Sequence, residues 1–119
     1  MVRGELVRRL VLRSICDDFE NIDQVILRDV AEVAARFGLT VERSEIVTVL
    51  ASLIEDGLAK AYLLYPDDRD PFSGEVQGMP AIGPVEEDFR TYFYITKKGM
   101  DLHLSDDSWW PFDDTIESR

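Results

Sequence analysis

Asp29-Val-Ala-Glu-Val-Ala-Ala-Arg-Phe-Gly38 and Ser44-Glu-Ile-Val-Thr-Val-Leu-Ala-Ser-Leu-Ile-Glu-Asp-Gly57 decide how this chain reads. Each is an apolar pattern at helical spacing that stops at a glycine, and glycine accommodates the left-handed conformation that ends helices. In the first stretch Val30, Val33, Ala34 and Phe37 form the buried row, and Asp29 with Glu32 has the spacing of a capping box. In the second, Ile46, Val49, Leu50, Leu53 and Ile54 recur at three, four, seven and eight positions and predict a core-facing stripe. Leu39–Arg43 is the expected turn between them, and Glu45 sits where a helix dipole favours an acid.

Upstream, residues 4–19 suit a first helix with Leu6, Val7, Leu10, Val11 and Ile15 on one apolar face. Glu5, Arg9 and Arg13 follow one another at four-residue spacing, with Asp17 next, and read as a solvated charged face. Residues 19–24 read as a polar connection and Val25-Ile26-Leu27 as a short strand. Downstream, Ala59–Tyr65 and Phe89–Thr96 read as an antiparallel pair of strands. Thr96 then caps a short helix through Met100, Leu102 and Leu104. The expected fold is α+β: a three-helix core, a small antiparallel sheet and a short C-terminal helix. It forms one domain over 1–104, followed by an acidic aromatic tail, 105–119.

That order resembles the winged helix-turn-helix domains of bacterial transcription regulators such as the PadR and MarR groups. Two signatures carry the resemblance. Leu53-Ile-Glu-Asp-Gly57-Leu58 is similar to the family's exit from the recognition helix, and Tyr94-Ile-Thr-Lys-Lys-Gly99 to its strand-to-helix step. The resemblance implies that the helix at 44–56 would enter the major groove, and that 66–88 would be a long wing loop. DNA contacts would then fall to Arg43, Lys60, Lys97 and Lys98.

Charge points the other way. The 119 residues carry 13 basic and 24 acidic groups, a net charge of −11, and residues 66–119 contribute −8 of it through five basic and thirteen acidic side chains. DNA affinity comes largely from lysines and arginines that neutralise phosphates. The outward positions of the second helix, Glu45, Val47, Thr48, Ala51, Ser52 and Glu55, include neither. The leading expectation is therefore a non-catalytic module that contacts protein, a partner or a second copy of itself, within a regulatory assembly. Val47, Thr48, Ala51 and Ser52 are its candidate contact residues, with Trp109, Trp110 and Phe112 of the tail. The alternative is a sequence-specific DNA-binding regulator, whose dimer would gather those four cations with the first-helix arginines. A more remote reading is a small enzyme or ligand sensor built on the long loop.

Pro66–Asp88 holds four of the five prolines and seven carboxylates against one arginine, and reads as a solvated excursion that could be shortened without loss of folding. Asp67-Asp68-Arg69-Asp70 and Gly74-Glu75 lack the ligand spacing of a calcium loop. His103 is the only histidine and has no second ligand at a metal-binding spacing, so it reads as a surface or boundary residue. Cys16, the only cysteine, cannot pair within the chain and reads as a structural thiol. With no nucleophile elbow or phosphate-cradling loop, no enzymatic activity and no cofactor are expected. No apolar run approaches the ~20 residues that span a bilayer, and the cytoplasm is the expected location. Trp109-Trp110-Pro111-Phe112 is expected to be docked, on its own domain or on a second copy, because three exposed aromatics together make a patch that soluble proteins seldom tolerate.

Overall fold

Two glycines end the helices that organise this molecule. The computed structural model describes residues 3–17, 19–63, 75–76, 78–80, 82 and 91–105. Among these residues four α-helices, α1 (Arg3–Ser14), α2 (Leu27–Arg36), α3 (Arg43–Glu55) and α4 (Lys97–Ser105), pack with a small antiparallel sheet. Its strands are β1 (Glu20–Asn21), β2 (Ala59–Leu63), β3 (Glu75–Val76) and β4 (Thr91–Ile95), in the order β1-β4-β2-β3. Both glycine stops are Schellman caps. Gly38 has φ 76°, its amide donates to Ala35 and the Leu39 amide to Ala34. Gly57 has φ 77°, its amide donates to Ile54 and the Leu58 amide to Leu53. Such pairs of bonds satisfy carbonyls that a helix end otherwise leaves orphaned.

The core lies where α1, α2 and α3 meet the inner face of the sheet. Ile46, Val49, Leu50 and Leu53 of α3 are buried, as are Val30 and Ala34 of α2, with Ala59, Ala61 and Phe93 closing the core from the sheet. Val33, Phe37 and Ile54 pack partly buried against them. The helical phase read for both glycine-stopped stretches holds. β2 and β4 pair from Ala59↔Ile95 to Leu63↔Thr91.

Four expectations need correction. Val25-Ile26-Leu27 is not a strand: one π-helical turn, Ile22–Ile26, runs directly into α2, and the strand lies earlier, at Glu20–Asn21. The cause is Asn21, whose Oδ1 accepts from the amides of Asp23 at 3.0 Å and Gln24 at 3.2 Å and so starts the helical path. Asp29 is consequently not an N-cap but part of the first turn of α2. On the charged face of α1, Glu5 and Asp17 are exposed as expected, but Arg9 is not solvated. Arg9 is buried and donates from Nη1 to the Leu102 carbonyl at 3.0 Å, because α4 lies against that side of α1. Finally, part of 66–88 belongs to the sheet: Glu75–Val76 pairs with Tyr62 and Ala61, and Met79 and Ile82 pack against the core. An apolar contribution from this stretch argues against its wholesale removal. Apart from Gly78 and Pro80, the rest of it lies outside the described residues, as do the expected ends of its flanking strands.

The helix expected to follow Thr96 is present, although Leu104 points away from the core and is 72% exposed. Thr96 Oγ1 accepts from the Gly99 amide at 3.0 Å and donates to the Gly57 carbonyl at 2.7 Å. Gly99 is buried so tightly that a Cβ there would stand 2.1 Å from the Leu58 carbonyl oxygen. Lys98 Nζ donates to the Asp56 carbonyl at 2.9 Å. The two signatures, 53–58 and 94–99, therefore dock on each other. Among the described residues no helix is long and apolar enough to cross a membrane.

Candidate contact surfaces

The α3 surface is shaped by what α1 donates to it. Arg3 reaches the Glu45 carboxylate with both terminal nitrogens and also donates to the Thr40 carbonyl at 2.7 Å. This hydrogen bond holds the Glu45 carboxyl below its ordinary range. One turn-pair further on, Arg8 donates to Ser52 Oγ and to Asp56 Oδ2, the latter at 2.9 Å. Two of the first-helix arginines are thus spent on the α3 flank.

Of the four residues expected to make partner contact there, Thr48 is exposed and returns its hydroxyl to the Ser44 carbonyl at 3.0 Å. Ala51 is half-buried, Val47 leans partly on the core, and Ser52 is the acceptor for Arg8. What remains outward is a narrow stripe of small neutral residues, Ser44, Thr48 and Ala51, ending at Glu55. Trp109, Trp110 and Phe112 lie outside the described residues.

The four cations proposed for DNA do not come together. Arg43 is bound bidentately to Asp23 of the π-helical turn, Nε to Oδ1 at 2.7 Å and Nη2 to Oδ2 at 3.0 Å, with side chains only 17% and 10% exposed. Lys98 is engaged at the far end of α3, which at 1.5 Å rise per residue is about 20 Å from Arg43. Lys97 pairs with Asp101 at 3.1 Å on its own helix. Lys60 is exposed on β2, opposite Tyr94.

Residues that face each other across an antiparallel ladder point to one side of the sheet. Ala59, Ala61 and Phe93 take the inner side, so Lys60, Tyr62, Tyr92 and Tyr94 take the outer. Phe19, just before β1, joins them: its ring stacks on Tyr94 with centroids 4.5 Å apart and meets Tyr62 edge-on at 5.3 Å. Phe19 remains 44% exposed. This aromatic face escaped the reading of the strands, although the signal was available. Thr91-Tyr-Phe-Tyr-Ile95 is apolar or aromatic at nearly every position rather than at every second one, so both faces of the strand seek cover.

A polar cleft of about 450 Å3 opens between the C-terminal end of α1 and α2, with Arg13, Cys16, Glu20, Arg28, Glu32 and His103 among its walls. Burial, and next the neighbouring Asp17, push the Cys16 thiol up, which disfavours the reactive thiolate. Burial, with Arg13 and Arg9 nearby, pushes His103 down and keeps it neutral. Among the described residues no group of three or more metal-ligating side chains is assembled. No family model matches the chain, and neither does any curated protein or solved structure.

Proposed function

We propose that this chain is a non-catalytic module, built like a winged helix, that works by binding protein within a regulatory assembly: a partner or a second copy of itself. The observation that carries the reading is the state of Arg43. It stands at the entrance of α3, and its guanidinium fork is filled by Asp23 in a mostly buried pair. A phosphate would have to displace a carboxylate from a geometry that already satisfies both. Along the helix, Arg3 and Arg8 pair with Glu45 and Asp56, and the outward stripe of α3 is uncharged up to Glu55. A surface of small neutral side chains suits a protein contact, where charged groups are depleted at the centre of the interface.

A titration with labelled duplex DNA at low and moderate salt, run with sizing of the free protein, tests this reading. The expected outcome is no specific complex in the nanomolar range at physiological salt. A tight complex whose salt slope corresponds to about six or more phosphates would overturn it in favour of the DNA-binding regulator.

A further inference from the structure

We propose that the polar cleft at the C-terminal end of α1 binds a small hydroxylated amine, of the amino-alcohol or amino-sugar class. Its walls come from α1, α2, α4 and the segment between α1 and α2, so the proposal stands apart from what α3 contacts. At about 450 Å3 the cleft falls within the range of small-molecule sites, about 300–1,000 Å3.

The charge of the ligand follows from the walls. Arg13 and Glu20 have partners of their own, and setting them aside leaves Asp17, Asp29 and Glu32 against Arg28. Asp29 and Glu32 are three positions apart on α2 and so are neighbours on its surface. An ammonium between them meets two carboxylates, and each can accept from it. The last turns of α1 and α4 also reach the cleft, through Ser14 and His103. The end of the helix dipole found there favours a cation.

The hydroxyls follow from two buried atoms. Ser14 is only 4% exposed, and neither Ser14 Oγ nor His103 Nδ1 has a hydrogen-bond partner among the described residues. Buried polar atoms are nearly always satisfied, so each exception calls for a partner. Burial, with Arg13 and Arg9 nearby, keeps His103 neutral, and the same arginines make a second ammonium the wrong partner for it. A hydroxyl both donates and accepts, and so answers the neutral ring in either tautomer. Ser14 presents its own hydroxyl to the cleft it lines by turning about one side-chain bond. The carboxylates thus select an amine, and the neutral atoms select hydroxyls.

The test follows backbone amide shifts of the full chain during titration with glucosamine. Glucose, which lacks the ammonium, and 1,4-diaminobutane, which lacks hydroxyls, are titrated in parallel at matched ionic strength. The expected result is saturable shifts at residues 13–17, 28–32 and 103 with glucosamine, and weaker binding of the other two. Ser14→Ala should weaken glucosamine roughly 2- to 10-fold, the loss of one neutral hydrogen bond, and leave 1,4-diaminobutane unchanged. Because the hydroxyl it removes has no partner, this variant should unfold as cooperatively as the native chain. Glu32→Gln, at an exposed position, should weaken both amines and leave glucose unchanged. Equal binding of glucosamine and 1,4-diaminobutane, unmoved by Ser14→Ala, would reduce the cleft to an acidic surface and overturn the proposal. Glucosamine shifts that are absent or lie elsewhere would overturn it as well. A loss of stability in Ser14→Ala with glucosamine binding intact would give the hydroxyl to an ordered water instead of a ligand, again against the proposal.

Discussion

Helix α3 and the outer face of the sheet both turn away from the core, yet they are made of opposite materials. On α3 the charges are settled from inside the chain: Arg3 answers Glu45, Arg8 answers Asp56, and Arg43 answers Asp23. What faces outward is a stripe of small neutral residues that ends at Glu55. On the sheet the outer side is ring surface, with one lysine among three tyrosines and a phenylalanine. The contrast separates two ways of offering a surface. α3 contributes shape with little desolvation cost, whereas the sheet contributes apolar area that favours being covered.

The widest gap should appear within α3 itself. Leu53 is fully buried, so Leu53→Ala should cost about 2–5 kcal/mol in denaturant unfolding. Thr48→Ala, on the outward stripe, should stay within about 0.5 kcal/mol. Equal losses would mean that the stripe is packed, and the contrast with the sheet would collapse. A middle-sized effect is expected at the π-helical turn. Arg43→Ala leaves Asp23 only 10% exposed and without its bidentate partner, at a cost of about 1.5–3 kcal/mol, the range for hydrogen bonds to charged groups. The same variant should leave any weak affinity for duplex DNA unchanged. A loss of DNA binding larger than the loss of stability explains would show that Arg43 serves phosphate after all.

The smallest effect should be the pH dependence at Glu45. Arg3 holds its carboxyl below the ordinary range, so its folded pKa is lower than its unfolded one. Its contribution is present above the unfolded value and is lost as pH falls through the folded value. Glu45→Gln should therefore lose less stability than the native protein on acidification from about pH 5 to about pH 3. The pair is solvent-screened, which keeps the difference small. Identical acid profiles would remove Arg3 from the account of how α3 is neutralised.

What could be read from the sequence follows the range of the interactions involved. Gly38, Gly57 and Thr96 act within a turn of their own position, and the residues around them announce the helix ends they make. The inner rows of α2 and α3 are periodic and were equally plain. Asn21 was missed although Asn21-Ile-Asp-Gln24 has cap spacing, because the β-branched run Val25-Ile26 reads equally well as strand. Arg9 could not be placed from its own helix. Its burial depends on α4, more than ninety positions away at Leu102, and nothing in α1 says which side that helix covers. For the contact surfaces, the neutrality of α3 was legible as a lack of lysine and arginine. The pairing of Arg43 with Asp23 and the aromatic sheet face were not, since both join segments that only the tertiary fold brings together.

The junction at Gly57 and Gly99 has a mechanical meaning. The amide of Thr96 is held by the Leu58 carbonyl, its hydroxyl by the Gly57 carbonyl, and Lys98 by the Asp56 carbonyl, while Gly99 sits against the Leu58 backbone with no room for a side chain. The exit of α3 and the entrance of α4 are therefore one rigid elbow rather than two neighbouring helix ends. A hinge there would have to break these bonds together, so amides on the two sides should open to solvent exchange as a single unit. Any displacement of α4 is thereby tied to α3, and through α3 to its stripe of small residues.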